Sequence, residues 1–181
     1  MKFMAGVWAM VASVALMPIG SAQMTGGGAK KPMASPPVDT SVILNGKTVS
    51  VHYNSPRMHG RQIFGGLVPY GQVWRTGANP ATTFRTQTDL KIGTANVPAG
   101  AYTLFTLPSA NTWKLIINKQ TGQWGLKYDQ AQDLARVDMH KSTLPKPQEN
   151  MSISFEDTHG GSTQLHIRWD TTDVWVPIVA Q

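Results

Sequence analysis

The stretch VILNGKTVSVHY (residues 42–53) decides the fold class. An Asn-Gly pair stands between two apolar runs, and this pair favours the tight two-residue turn of a β-hairpin. In the second arm Val49, Val51 and Tyr53 alternate with polar residues. Because successive side chains of a strand point to opposite faces, this period of two predicts a strand with one buried face.

The same period continues along the chain and predicts further short strands separated by turn signals. These strands are expected at residues 82–87, 90–92, 101–107, 112–118, 136–142, 151–155, 164–169 and 174–179. The stretch 128–135 is the one place where the pattern predicts a short helix, capped by Asp129. We therefore expect an all-β fold, an antiparallel β-sandwich or jelly-roll-like barrel with one short helix, and no parallel α/β sheet.

Residues 1–22 have the layout of a secretory signal peptide. A basic start at Lys2 precedes an uncharged, mostly apolar run over residues 3–17, and small residues before Gln23 supply a cleavage site. An uncleaved membrane anchor is the alternative, although a membrane span needs about 20 apolar residues. We expect cleavage, no membrane span afterwards, and a periplasmic or secreted protein.

Residues 23–37 are rich in glycine and proline and carry almost no large apolar side chain, which predicts a disordered linker. The remaining residues, 38–181, are expected to form a single β-sandwich domain. A domain of this size buries about 70% of its extended-chain surface and needs no covalent staple. The chain has no cysteine, which excludes disulfides, thiolate metal sites and thioether-linked haem.

The chain is basic, with 16 Lys and Arg against 10 Asp and Glu, or +6. Removal of residues 1–22 takes away one lysine and leaves 15 − 10 = +5. The basic residues are scattered, and the adjacent pair Lys30-Lys31 lies in the predicted linker, so a nucleic-acid partner is not expected. Weak attraction to small acidic ligands or anionic envelope polymers fits this charge better. We expect no cofactor, and the composition leaves the oligomeric state open.

A candidate site lies in the loop PRMHGRQIFGGLVPYGQVWRTGANP (residues 56–80), which fits neither the strand nor the helix period. Its glycines allow close backbone approach to a ligand, and the two arginines that flank Tyr70 and Trp74, Arg61 and Arg75, suit carboxylate or phosphate recognition. Trp74 can stack on a sugar ring, and Asn79 can orient a ligand through its amide. The alternative is structural: the arginines pair with Asp129, Asp133 or Asp138, and Trp74 belongs to the core.

A second aromatic position stands in Gly122-Gln123-Trp124-Gly125. A tryptophan between glycines can expose a flat face for stacking on a sugar, but it can also close one end of a β-sheet core. The interpretation as a binding residue requires that Trp124 meet Arg75 in space.

Several segments together resemble the bacterial domain-of-unknown-function 2911 family. They are Gly60-Arg61, IFGGLVPYG (63–71), VWRTGAN (73–79), VPAGAYTLFTLP (97–108), NKQTGQWG (118–125) and YDQAQDLARV (128–137). The resemblance covers nearly all of residues 38–180 and implies a β-sandwich-like domain in an exported bacterial protein, with no activity assigned. It carries over as motif positions Arg61, Trp74, Arg75, Thr76, Asn79, Gln123, Trp124 and Asp133. In the family's pattern an acidic residue usually follows the asparagine, whereas Pro80 stands here, which weakens an enzymatic role that needs that carboxylate.

Three functions follow from these residues. The first is binding of a small anionic or polyhydroxyl, sugar-like ligand through Arg61, Trp74, Arg75, Thr76, Asn79, Trp124 and Asp133. The second is an envelope-associated hydrolase that uses Asp133 or His140 as general base near Arg75. The third is a structural or interaction module of the cell envelope, in which the apolar strand 174–179 pairs with a partner.

Known catalytic and metal signatures are missing. No serine stands in a GxSxG elbow, and no glycine-rich phosphate loop precedes a helix. His52, His140 and His166 lie in predicted strands without metal-ligand spacing, so we expect no metal site, and the catalytic residues stay unknown.

Overall fold

A computed structural model of the protein describes residues 34–181, and the predicted signal peptide and most of the predicted linker lie outside this part. The described residues form nine strands: β1 (Pro37–Leu44), β2 (Lys47–Asn54), β3 (Thr82–Thr86), β4 (Leu90–Ile92), β5 (Ala95–Val97), β6 (Gly100–Pro108), β7 (Trp113–Asn118), β8 (Asp133–His159) and β9 (Ser162–Ala180). They join into one sheet in the order β1-β2-β3-β6-β7-β8-β9-β4-β5. Every neighbouring pair is antiparallel, so the predicted all-β, antiparallel class is confirmed.

The hairpin predicted from residues 42–53 is present. β1 and β2 pair up to Leu44 and Lys47, and the turn residues Asn45 and Gly46 have φ angles of 49° and 76°. Both angles are left-handed, as the tight hairpin turn requires. The apolar residues of β2 are buried and the polar residues between them are not, as the alternation predicts.

In the last third of the chain the prediction of four separate strands is wrong, since the structure has two long strands there. β8 and β9 are long strands that pair with each other from His140↔Trp175 to His159↔Ser162, with register shifts along the way. The polar run before Val174 indicated a turn, but it continues the strand. Its Asp173 is buried, and it accepts from His166 and Arg168. Because these polar groups are satisfied inside the sheet, the strand does not need to end there.

The short helix predicted at residues 128–135 is reduced to a single 3₁₀ turn at Gln130–Gln132. Asp129 caps this turn by accepting from the Ala131 backbone N–H at 2.9 Å, as predicted. β8 begins at the next residue, Asp133, whose Oδ1 accepts from the Asn118 side-chain amide at 2.8 Å. Pairing with β7 therefore overrides the local preference for a helix.

The core is formed by the inward faces of the strands and by the loop of residues 55–81 that joins β2 to β3. Trp74 stacks on Trp169 at 5.9 Å between ring centroids and 19° between planes. Phe64 contacts both rings edge-on and also contacts Trp113 at 4.8 Å. These aromatic contacts fix the loop on the sheet, although its residues are mostly outside strands.

Among residues 34–181, no helix has the length and apolar character needed to cross a membrane.

Candidate functional site

The loop of residues 55–81 encloses a cavity of about 300 Å³ against β9. It is lined by Ser35, Pro56, Arg61, Leu67, Val68, Trp74, Arg75, Gly77, Ala78, Asn79 and Trp169. Four of the predicted site residues, Arg61, Trp74, Arg75 and Asn79, are therefore brought to one cavity. Among the described residues of this lining, the two arginines are the only charged side chains, which makes this part of the cavity cationic.

Backbone hydrogen bonds hold the wall of the cavity in place. Trp74 exchanges two of them with Thr106 of β6, at 2.8 and 2.9 Å, and Ala78 N–H donates to the Asn54 carbonyl at 3.1 Å. Gly77 lies so close to β2 that an added Cβ would stand 3.0 Å from that same carbonyl oxygen. This close approach explains a glycine at this position.

Arg75 is the unusual member of the wall. Its Nε is buried and has no hydrogen-bond partner within residues 34–181, and no carboxylate of that part of the chain lies within 4.0 Å of its nitrogens. Burial lowers the pKa of Arg75 from its ordinary value, because removing the guanidinium from water disfavours the charged form. The side chain is thus a half-buried cation that no described acid neutralises.

The acids considered as partners for the arginines are engaged elsewhere. Asp138 pairs with Lys114 at 2.6 Å, and Asp133 pairs with Arg136 at 2.8 Å. Asp129 caps the 3₁₀ turn. Within residues 34–181, these acids therefore do not anchor Arg61 or Arg75, as the structural alternative had required.

Arg61 is exposed and is held by its own loop. Its Nε donates to the Met58 carbonyl at 3.0 Å, and its Nη2 donates to the Arg57 carbonyl at 2.6 Å. Since a guanidinium has five N–H donors, these two bonds orient the group and leave other donors for a ligand.

Trp74 has two roles in this arrangement. It lines the cavity, and it is also a core residue whose Nε1 donates to the Gly77 carbonyl at 3.2 Å. Thr76, in contrast, is fully buried and is not part of the lining. Its hydroxyl contacts Thr106 Oγ1 at 3.2 Å, and its carbonyl accepts from Thr82 at 2.8 Å, so Thr76 supports the wall from behind.

Trp124 lies beside the cavity and not in its lining. It forms an antiparallel bridge with Pro80, and the following residue, Gly125, donates its N–H to the Asn79 carbonyl at 3.2 Å. The Gly125 backbone lies directly against the Arg75 stem: an added Cβ would stand 2.0 Å from Arg75 Cδ. The segment containing Trp124 therefore contacts the Arg75 segment through Gly125, while Trp124 itself does not line the cavity.

Asp133 belongs to a separate network. Its Oδ2 accepts from the Tyr128 hydroxyl at 2.6 Å and from Arg136 Nε at 2.8 Å, while Asn118 holds Oδ1. Burial, followed by the hydrogen bond to Asp133 and the charge of Asp133, raises the pKa of Tyr128 to about 12. With both oxygens bonded, Asp133 is placed to stabilise the start of β8.

His140, the other candidate base, stacks on Trp175 with 4.1 Å between ring centroids. Neither His140 nor Asp133 lines the cavity, and the described lining contains no carboxylate and no imidazole. Within residues 34–181 no three potential metal-ligating side chains of the His, Cys, Asp or Glu type cluster together.

A polar cluster on β8 and β9 is internally satisfied. Arg168 binds both carboxylate oxygens of Glu156 and donates to Asp173 at 3.0 Å, and the buried His166 contacts Asp173 at 2.9 Å. The hydrogen bonds from Arg168 lower the pKa of Glu156, because they favour the ionised carboxylate. We regard this cluster as part of the sheet's stabilisation.

A second, more open depression of about 600 Å³, here called the outer groove, lies next to Trp124 along the chain. It is lined by Gln120, Leu126, Lys127, Tyr128, Asp129 and Gln132. It is larger than the cavity at Arg75, but its described lining has no buried charge that lacks a partner, so the cavity remains the better candidate for a specific site.

Sequence reasoning missed the apolar part of the lining, Leu67, Val68 and Trp169, as well as Ser35. The burial of Trp169 was predictable, since it stands on the apolar face of a predicted strand. Ser35 and Leu67 had no such signal, because nothing in the local sequence says that they approach the same cavity.

The family described as "Protein of unknown function (DUF2911)" matches the chain over residues 35–178. No curated protein and no solved structure matches the chain.

Proposed function

The chain belongs to the DUF2911 family, a family of unknown function, and from that premise we propose that it binds a small anionic, polyhydroxyl ligand in the cavity at Arg75. The observation that carries the proposal is the half-buried Arg75 guanidinium, which has no hydrogen-bond or ion-pair partner within residues 34–181 and lies at a cavity whose described lining has no acid. The volume of about 300 Å³ lies at the lower end of the range of ligand pockets, which suits a ligand the size of one sugar acid.

The energetics favour an anion as the occupant. A cation that is partly removed from water without a partner is unfavourable, and a ligand that supplies acceptors to the Arg75 guanidinium offsets part of this cost. A carboxylate can accept two parallel hydrogen bonds from one guanidinium, and bonds of this kind are about twice as strong as neutral ones. Arg61 at the same cavity adds a second cation with free donors.

The polyhydroxyl part of the ligand is suggested by the other lining groups. Asn79 contributes an amide, which both donates and accepts, and Ser35 contributes a hydroxyl. The indole rings of Trp74 and Trp169 and the side chain of Leu67 supply apolar surface beside these polar groups. This mixture of apolar walls and a few converging polar groups is typical of sites for small molecules.

The hydrolase alternative has less support. A general base must come within hydrogen-bond reach of the proton that it removes, and the described cavity lining offers neither a carboxylate nor an imidazole. The interaction module is also less supported, because β9 pairs with both β8 and β4 and is therefore not a free edge.

The test compares two ligands that differ in one carboxylate, D-galacturonate and D-galactose, by isothermal titration calorimetry. We expect galacturonate to bind more tightly. Arg75→Ala should weaken galacturonate binding at least about tenfold, equivalent to about 1.4 kcal/mol, while the melting temperature stays near that of the wild type. Arg75→Lys should recover little, since an ammonium keeps the charge but not the planar fork.

Arg85→Ala is the matched control, since Arg85 is an exposed arginine on β3 outside the cavity lining. It removes the same charge and should leave the affinity unchanged. If Arg75→Ala unfolds the chain, or if the wild type binds the acid no better than the neutral sugar, the proposed site is wrong.

We also propose that the protein acts outside the cytoplasm. The proposal rests on the signal-peptide layout of residues 1–22, and extracytoplasmic material would supply acidic sugars to a cationic cavity.

A further inference from the structure

We infer that the ligand is oligomeric: a carboxylated oligosaccharide with one acidic residue in the cavity at Arg75, the next stacked on Trp124, and the chain continuing into the outer groove. This inference rests on the proposed function and specifies the ligand class of the same site. Three observations carry it: the exposure of Trp124, the path of the backbone between the two depressions, and the chemistry of the groove.

Trp124 is 52% exposed, which is unusual for the largest apolar side chain. Its backbone is fixed on both sides, because Ala81 N–H donates to the Gln123 carbonyl and Lys127 N–H donates to the Trp124 carbonyl at 2.8 Å. The indole is thus carried on a backbone segment that is hydrogen-bonded on both sides, and it is left open to solvent. A preorganised flat aromatic surface of this kind is suited to stacking, since less conformational entropy is lost on binding.

The segment from Trp124 to Lys127 leads from one depression to the other. Gly125 contacts the Arg75 stem and the Asn79 carbonyl, and both of these residues line the cavity. Leu126 and Lys127, the next two residues, line the outer groove. Trp124 thus stands in the segment whose neighbouring residues contact the cavity wall on one side and line the outer groove on the other, and the proposed oligosaccharide follows this segment.

The groove has the groups that an acidic oligosaccharide needs. Gln120 and Gln132 carry amides that can bind hydroxyls, and Lys127 carries an ammonium that can bind a second carboxylate. Leu126 is 77% exposed and offers an apolar surface to the face of a sugar ring. Asp129 is the one acid in this lining, and its Oδ1 already accepts from the backbone.

The experiment measures the affinity of galacturonate oligomers of increasing length, from the monomer to the hexamer, by isothermal titration calorimetry. For the wild type we expect the hexamer to bind at least about tenfold more tightly than the monomer. Trp124→Ala should remove most of this gain, so that its affinity for the hexamer approaches its affinity for the monomer. Tyr70→Ala is the matched control, since it removes an exposed aromatic ring that lines neither the cavity nor the groove.

The outcomes separate this inference from the proposed function. If monomer and hexamer bind equally well, or if Trp124→Ala weakens both equally, the oligomeric ligand is wrong while the cavity at Arg75 stands. If neither monomer nor hexamer binds, the proposed function fails as well. Light scattering on the same samples tests the competing occupant: a dimer that Trp124→Ala dissociates would assign the exposed aromatic surface to a second copy of the chain and overturn the inference.

Discussion

Tyr128 connects the 3₁₀ turn to β8 through its hydroxyl, and its titration makes this contact measurable. Its pKa in the folded chain is raised from 10.0 to about 12, so the folded state keeps this proton at pH values where the unfolded state has lost it. Stability from this group is therefore present below pH 10 and is lost as the pH rises from 10 to about 12. Tyr128→Phe has no hydroxyl to titrate and should show a flatter decline in that range.

The measurement is the free energy of unfolding from urea titrations at several pH values between 8 and 12, for the wild type and Tyr128→Phe. At neutral pH the variant should be less stable by about 1 kcal/mol, because it lacks the hydrogen bond to Asp133. The two curves should converge as the pH rises. Curves that stay parallel would show that the hydroxyl does not contribute to the alkaline decline.

At the level of single residues, the sequence predicted which side chains have binding chemistry but not which of them meet. Arg61, Trp74, Arg75 and Asn79 stand in one loop, and they do line one cavity. Asp133 is also a side chain that can bind a polar ligand, yet it is hydrogen-bonded to Tyr128, Arg136 and Asn118. Residue type and spacing do not specify a hydrogen-bond partner, so these two outcomes could not be separated before the structure.

At the level of elements, the contact between Gly125 and the Arg75 segment is the critical junction. An added Cβ at Gly125 would stand 2.0 Å from Arg75 Cδ and 2.6 Å from the Asn79 carbonyl oxygen, and the second atom belongs to the backbone. Gly125→Ala should therefore move Arg75 and separate the two segments. We expect a loss of stability of about 1–3 kcal/mol, as for other overpacked sites, and weaker galacturonate binding.

Gly122→Ala is the control for this prediction, since it lies three residues earlier and an added Cβ meets nothing within 4 Å. Its φ of +75° strains any other residue, so it should cost some stability but leave the affinity for galacturonate intact. Thermal unfolding and calorimetry on both variants provide the comparison. Equal affinity in Gly125→Ala and Gly122→Ala would mean that the junction does not position Arg75.

The strands themselves show which local signals are reliable. The Asn45-Gly46 turn was predictable because only a few residue types favour its left-handed angles. The extent of β8 and β9 was not predictable in the same way. The polar residues before Val174 would indicate a turn only if they were exposed. Asp173 is instead buried against His166 and Arg168 of the same strand, and the period alone does not reveal that these side chains meet.

At the level of the whole molecule, the class of fold followed from the period of two, while the strand order did not. The β4–β5 hairpin pairs with the distant β9, and the cavity collects residues from Ser35 to Trp169. These contacts join positions far apart in the chain, and alternation describes each strand only by itself. A single sequence carries no signal for such pairings, so it did not reveal that these apolar side chains share one cavity with the arginines.

The last prediction concerns the export of the protein and the cleavage of residues 1–22. If residues 1–22 are a signal peptide, the mature protein begins at Gln23 and loses one positive charge, from +6 to +5. We expect mass spectrometry of the protein from the extracytoplasmic fraction to give the mass of residues 23–181. Cleavage requires small residues just before the cut, so Ala22→Lys should block it, whereas Gln23→Asn should leave it intact. If the wild-type protein in that fraction still begins at Met1, residues 1–22 are retained. If the protein is found only in the cytoplasm, the proposed extracytoplasmic location is wrong, and so is the proposed source of acidic sugars.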